Sequence, residues 1–189
     1  MAAIVNTAKQ DNWEARYGAK VAAVISNRPD AGGLQKAAAA GIATTVVAHR
    51  EYANRDEFEV ALAHQIDRYR PVLVVLAGFM RVLGAAFVQR YEGRLVNIHP
   101  SLLPAFKGLD THQRAIDAGC TVAGASVHWV SPGVDDGEVI AQAQVAVLPN
   151  DTAEQLAARV LTQEHLLYPT TIAQLLQAHH ACQPLTHPS

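Results

Sequence analysis

The sequence predicts an α/β protein with a doubly wound, mostly parallel sheet, and three observations carry that prediction. Val72-Leu73-Val74-Val75-Leu76 is an unbroken apolar run, the pattern of a strand buried on both faces. Strand-like and helix-like segments alternate from Val21 to Leu95 with short connections. The segment from Leu95 carries Asn97 and His99 before Pro100 stops it. Polar groups therefore collect at a carboxyl strand end, where open α/β sheets bind ligands.

The elements follow in order. Met1 to Ala8 reads as a helix, with Asp11, Trp13, Glu14 and Tyr17 at its exit. Val21 to Ile25 is the first strand and runs into the loop Ser26 to Asp30; a helix through Leu34 to Ala40 then stops at Gly41. Ala43 to Val47 is β-branched and reads as a second strand. From Arg55, the residues Phe58, Leu62, Ile66 and Tyr69 recur at helical spacing. Pro71 separates that helix from the Val72 strand, which ends in Ala77-Gly78-Phe79-Met80-Arg81. Leu83 to Tyr91 is a short helix before the strand at Leu95.

After Pro104 the texture changes. Asp110 to Ala118 is a helix capped by Asp110 or Thr111. Val122 to Val130 and Val139 to Val147 are strands, and the short Ser131 to Gly137 connection favours an antiparallel hairpin. Asp151 or Thr152 caps a long last helix, with Glu154 and Gln155 near its third position. Pro169 is expected to kink or divide that helix. The tail, about 183–189, is expected to be irregular.

Size and composition fit a single domain: 189 residues, half of them hydrophobic, with a formal net charge of −2. That balance gives no global attraction to nucleic acid or to a membrane surface. Cys120 and Cys182 lack metal-type spacing, so a reduced, cytoplasmic setting is expected.

Four polar residues could do chemistry together. Asn97 and His99 alternate onto one side of their strand. An imidazole exchanges protons near neutral pH, and an amide can donate to an oxygen gaining negative charge. Asp135, in the hairpin turn, could orient His99; the plainer alternative is an ordinary turn aspartate. His128 and Ser126 share one face of their strand and could also reach the site, and a core or supporting role is the one expected of His128. His99, His112 and His128 lack zinc-motif spacing, so no metal is expected. No glycine-rich dinucleotide loop or nucleophile elbow is present. The expected chemistry is direct transfer with a general acid or base.

With these residues in view, the chain resembles the folate-dependent glycinamide ribonucleotide formyltransferases from about Met1 to about Leu176. The likeness rests on Leu76 to Arg81, Asn97-Ile98-His99-Pro100-Ser101-Leu102-Leu103-Pro104, Gly108 to His112, Gly124 to His128, Val134 to Gly137 and Gln163-Glu164-His165. It implies a Rossmann-like formyltransferase fold in one domain, 1–189. It also implies transfer of the formyl group of 10-formyltetrahydrofolate to the amine of glycinamide ribonucleotide, a step of purine biosynthesis. By this resemblance Asn97 steadies the oxyanion, His99 moves protons, and Asp135 holds His99 or an intervening water. The reduced folate would lie along Arg55, Met80, Arg81, Val82, Leu83, Asn97 and the loop Ser131, Pro132, Gly133, Val134, Asp135. The nucleotide would meet Gly78, Pro100, Gln163 and Glu164, with Ser126 and His128 in support.

The resemblance also carries a departure. The family begins with a strand and a glycine-rich turn whose amides hold the nucleotide's phosphate, and Met1 stands where the following helix begins. A start placed too late is the expectation, with an unfilled central position in the sheet as its structural consequence. Two other readings stay open: a formyltetrahydrofolate hydrolase, and a folate- or nucleotide-binding fragment without catalysis. The expected partners are small molecules, with no nucleic acid or membrane, and a homodimer is left open.

Overall fold

The computed structural model describes residues 1–182, so the expected irregular tail lies outside the described residues. Helices α1 (Ala2–Gln10) and α2 (Trp13–Tyr17) open the chain, so the exit from the first helix is itself helical. Then come β1 (Ala23–Ser26), α3 (Gly32–Ala39), β2 (Ala43–Val46), α4 (Arg55–Asp67), β3 (Val74–Leu76), α5 (Ala85–Arg90) and β4 (Leu95–His99). The second half holds α6 (Thr111–Asp117), β5 (Val122–Trp129), β6 (Val139–Ala146) and α7 (Ala153–Ala181).

β1 pairs with β2 and β3 with β4 in parallel, while β4–β5 and β5–β6 are antiparallel, as the hairpin reading expects. The strands form two ladders, β1-β2 and β3-β4-β5-β6. A cavity of about 630 Å³ lies between β1 and β3, lined by both strands. The strands expected from Val21 and from Val72 start only at Ala23 and Val74. Each has a partner on one side alone, so its first residues stay outside the ladder.

Helices cover both faces of the larger sheet, and β4 shows why. Leu95 and Val96 are both buried and point to opposite sides. Leu95 packs with Phe58, Leu62, Ile66, Phe87 and Tyr91 from α4 and α5. Val96 packs with Ile4, Trp13, Tyr168, Ile172 and Leu176 from α1, α2 and α7.

The last helix begins at a capping box in which Thr152 and Gln155 satisfy one another's backbone N–H groups. It runs unbroken through Pro169, contrary to the expected division. The carbonyl that a proline at this position leaves unpaired belongs to His165, which is exposed to water. Pro169 itself is fully buried in the core, so packing offsets the lost bond.

Tyr168 joins α7 to the sheet. Its hydroxyl reaches the carbonyls of Leu76 and Val96 at 2.8 and 3.0 Å, the C-terminal end of β3 and the middle of β4. Burial holds this phenol well above its ordinary range, so it remains a donor. Tyr168→Phe should therefore cost about 1–3 kcal/mol of stability, read by urea unfolding with an unchanged m-value. A loss below a few tenths would show that water replaces the hydroxyl.

Candidate active site

The antiparallel register of β4 and β5 sets Asn97 opposite His128 and His99 opposite Ser126. The Asn97 side-chain nitrogen lies 3.4 Å from His128 Nε2. His128 Nδ1 lies 2.9 Å from the Trp129 carbonyl, which can only accept, so Nδ1 carries the hydrogen and Nε2 receives the Asn97 amide. Burial pushes the His128 imidazole below its ordinary value; the Trp129 bond and the Asp135 charge raise it, and His99 lowers it. A neutral His128 thus orients the Asn97 amide and leaves its second N–H free to donate.

His99 is 5% exposed. Its Nε2 donates to the Phe106 carbonyl at 2.9 Å, and its Nδ1 faces Asp135 Oδ2 directly at 3.2 Å. The same carboxylate oxygen accepts the Gly108 N–H at 3.1 Å, and Oδ1 lies 3.6 Å from His128 Nε2. Asp135 arrives by a route that strand order alone does not suggest. The chain leaves β5 beside Leu95, where the Val130 N–H bonds the Leu95 carbonyl, at the far end of β4 from His99. The Ser131 to Gly137 loop then folds back over the sheet face to bring the carboxylate to the imidazole.

Asp135 sits at φ 48°, which aspartate tolerates better than most side chains. An ion pair between Lys107 and Asp136 joins this loop to the one after β4 and holds the Asp136 carboxyl below its usual range. Gly137 closes the loop against the strand: a Cβ there would stand 1.7 Å from the Trp129 carbonyl oxygen, the acceptor that fixes the His128 tautomer.

Ser126 does not reach the site. It is fully buried and spends its whole bonding capacity on the loop after His99. It donates to the Ser101 carbonyl at 2.6 Å and accepts from the Leu103 N–H and the Gln142 amide at 2.9 and 2.8 Å. Gln142 also donates to the Leu103 carbonyl, and Thr111 to that of Pro100. Sequence reasoning missed Gln142 and Thr111. The pairing of Ser126 with Gln142 across the hairpin was a signal for the first.

The remaining predicted residues divide into two groups. In the first, Met80, Val82 and Val134 are apolar and 79%, 60% and 52% exposed. The Arg81 guanidinium lies over the Phe58 ring, and Arg55 is 3.7 Å from Glu59, which also accepts the Gly84 N–H. Leu83 is buried in the core, so only its backbone is available to a ligand. The Ser131 hydroxyl is buried without a partner among the described residues, while Pro132 and Gly133 are exposed. These features suit a flat, partly apolar molecule with polar edges.

In the second, Gly78 adopts φ 73°, and Pro100 and Gln163 are half-buried. Burial raises the Glu164 carboxyl, while His165, His99 and the N-terminal amine draw it down. His112 Nε2 is buried without a partner among the described residues, and burial followed by the His99 charge lowers that imidazole. Among the described residues no cluster of His, Cys, Asp and Glu could hold a metal, and no helix is long and apolar enough to cross a membrane.

The chain is similar to known proteins in sequence and in fold. A sequence model described as formyl transferase matches residues 1–172. The phosphoribosylglycinamide formyltransferase of Escherichia coli is 50% identical over 153 residues, 81% of this chain and 72% of that protein. The human trifunctional purine biosynthetic protein adenosine-3 is 41% identical over 170 residues, which cover 90% of this chain and 16% of that longer protein. Among solved structures, the phosphoribosylglycinamide formyltransferase of Coxiella burnetii superposes with a TM-score of 0.87 at 45% identity, covering 94% of this chain and 81% of the other. That of Brucella melitensis gives 0.85 at 46% identity, covering 99% and 92%.

The depressed His128 value has a consequence for stability. An unfolded histidine titrates near its ordinary value of about 6.5. Below that pH the unfolded chain gains a proton that folded His128 resists, so this contribution is present above about pH 6.5 and lost as pH falls towards the folded value. Urea midpoints should fall across that window, and His128→Gln should flatten part of the fall. An unaltered slope in the variant would exclude His128 as its source.

Proposed function

The chain belongs to the formyl transferase family, and on that premise we propose that this formyltransferase passes a formyl group from 10-formyltetrahydrofolate to the amine of glycinamide ribonucleotide. The observation that supports the reading best is the cluster in which His99 meets Asp135 at 3.2 Å while His128 aims the Asn97 amide. The amine attacks the formyl carbon, and the carbonyl oxygen gains negative charge. The free N–H of Asn97 donates to that oxygen, an interaction that strengthens as the charge develops. When the tetrahedral intermediate collapses, the bond from the formyl carbon to the folate nitrogen breaks; the amine loses a proton and that nitrogen gains one. His99 carries it through Nδ1, and Asp135 holds the imidazole in position.

The folate cosubstrate would be held by the Met80 to Leu83 segment and the Ser131 to Asp135 loop, with Arg55 towards its carboxylates. The orphan Ser131 hydroxyl and the exposed Met80, Val82 and Val134 side chains fit such a ring system. Glu164 and Gln163 would take the hydroxyls of the ribose, because a carboxylate weakened by burial gains from hydroxyl donors. Gly78 and Pro100 would line the nucleotide's path between them. The whole chain would act as one formyltransferase domain in the cytoplasm, and its two free cysteines accord with a reducing compartment.

The purified chain should release tetrahydrofolate from 10-formyltetrahydrofolate only when glycinamide ribonucleotide is present, followed by absorbance. Asn97→Ala and His99→Ala should each lower kcat by about 10²–10⁴-fold with folate affinity largely kept. Asp135→Asn should lower kcat and move the pH optimum. Deformylation that ignores the nucleotide would assign the site to hydrolysis, and full activity of the His99 variant would remove it from the mechanism.

A further inference from the structure

We infer that Arg114 is a positioning residue for the His99–Asp135 pair, because it ties the loop that touches both members to helix α6. Such a role presupposes the proton transfer proposed for His99. The loop over 106–109 meets each member once. The Phe106 carbonyl accepts from His99 Nε2 at 2.9 Å, and the Gly108 N–H donates to Asp135 Oδ2 at 3.1 Å. A carbonyl can only accept, so this contact keeps a hydrogen on Nε2. It leaves Nδ1, 3.2 Å from Asp135 Oδ2, as the nitrogen that takes and gives a proton. The aim of the imidazole therefore depends on where the Phe106 carbonyl stands.

The loop does not hold itself. Among the described residues no backbone N–H reaches the carbonyl of Phe106, Lys107 or Leu109. Phe106 and Asp110 adopt φ 53° and 56°, a region that bulky side chains in particular avoid, so local preference opposes this shape. Side chains must supply the restraint. Lys107 pairs with Asp136, yet Asp136 lies in the Ser131 to Gly137 loop, so that pair joins one loop to another.

Arg114 supplies the tie to a regular element. Its Nη1 carries two hydrogens and donates to the carbonyls of Lys107 and Leu109 at 2.7 and 3.1 Å, one on each side of Gly108. Its guanidinium also lies over the Phe106 ring, 5.5 Å from the centroid, and that ring belongs to the residue whose carbonyl meets His99. Helix α6 is in turn fixed to the core. Ala115 is buried, and Ile116 packs on Ala123, Ala125, Leu156 and Val160. Thr111, at the start of the helix, donates to the Pro100 carbonyl just after β4. The rigid scaffold thus reaches the imidazole through one exposed side chain and the loop that it grips.

The test compares two variants with the parent 189-residue chain. Arg114→Met keeps an apolar stem without donors, and Arg114→Lys returns a charged donor. With nitrogen-15 in the histidines, NMR reads how fast the His99 Nε2–H exchanges with water, the signal being assigned by its loss in His99→Gln. In Arg114→Met that exchange should quicken by about tenfold, while the core amides of Leu95 and Val127 keep their parental rates. The kcat for formyl transfer should fall by about 10–100-fold, with KM for both substrates within about twofold of the parent. Arg114→Lys should recover most of both losses, because an ammonium can also donate to the two carbonyls. Parental ring exchange in Arg114→Met would overturn the proposal. So would ring and core amides quickening together, which marks a general loss of stability, and so would quicker ring exchange with kcat unchanged. A parent chain that transfers no formyl group would sink the functional reading alone, since ring exchange still decides whether Arg114 holds His99 in place.

Discussion

The pairing of β4 with β5 is the constraint on which the site depends. Strand side chains repeat every two residues, so one register places Asn97 over His128 and His99 over Ser126. A slip of one residue would send the whole polar set into the opposite layer and bring core residues to the site. Leu95 and Val96 prevent that slip, because each is anchored in a different hydrophobic layer. The same hairpin fixes what lies beneath the site: Ser126 and Gln142 face one another and together bind the loop after His99.

Two histidines one strand apart are assigned opposite tasks by their surroundings. His128 is sealed in the sheet with a carbonyl on one nitrogen and an amide on the other, which suits the neutral ring. His99 meets a carboxylate instead, which suits the proton carrier proposed for it. The Asp135 carboxylate touches both environments, and its position is secured by the Gly108 amide and by the neighbouring Lys107–Asp136 pair. The Asp135 charge thus lies nearer to His99 than to His128, whose burial favours the neutral ring.

Much of this was legible in the sequence because it follows local rules. The apolar run at Val72, the helical spacing from Phe58 to Ile66, and the Thr152–Gln155 cap each determine their own element. Asn97 and His99 announced themselves by alternation before a proline. What was not legible depends on distant parts of the chain. Pro169 reads as a helix breaker, yet tertiary packing keeps α7 whole. Ser126 reads as a supporting residue, but the sequence does not mark its three partners, the Ser101 carbonyl, the Leu103 amide and Gln142. Tyr168 bridges two carbonyls of the sheet, and no feature near it in sequence marks that task.

The split into two ladders has a bearing on how the molecule would fail. Asn97, His99, Gly108, His128 and Asp135 all belong to one contiguous stretch of chain and rest on the four-stranded ladder alone. The two-stranded ladder of β1 and β2 shares no strand pairing with it. Cooperative units of unequal strength open separately. Mild heating would therefore loosen β1 and β2 first, while His99 and Asp135 stayed together on the larger ladder.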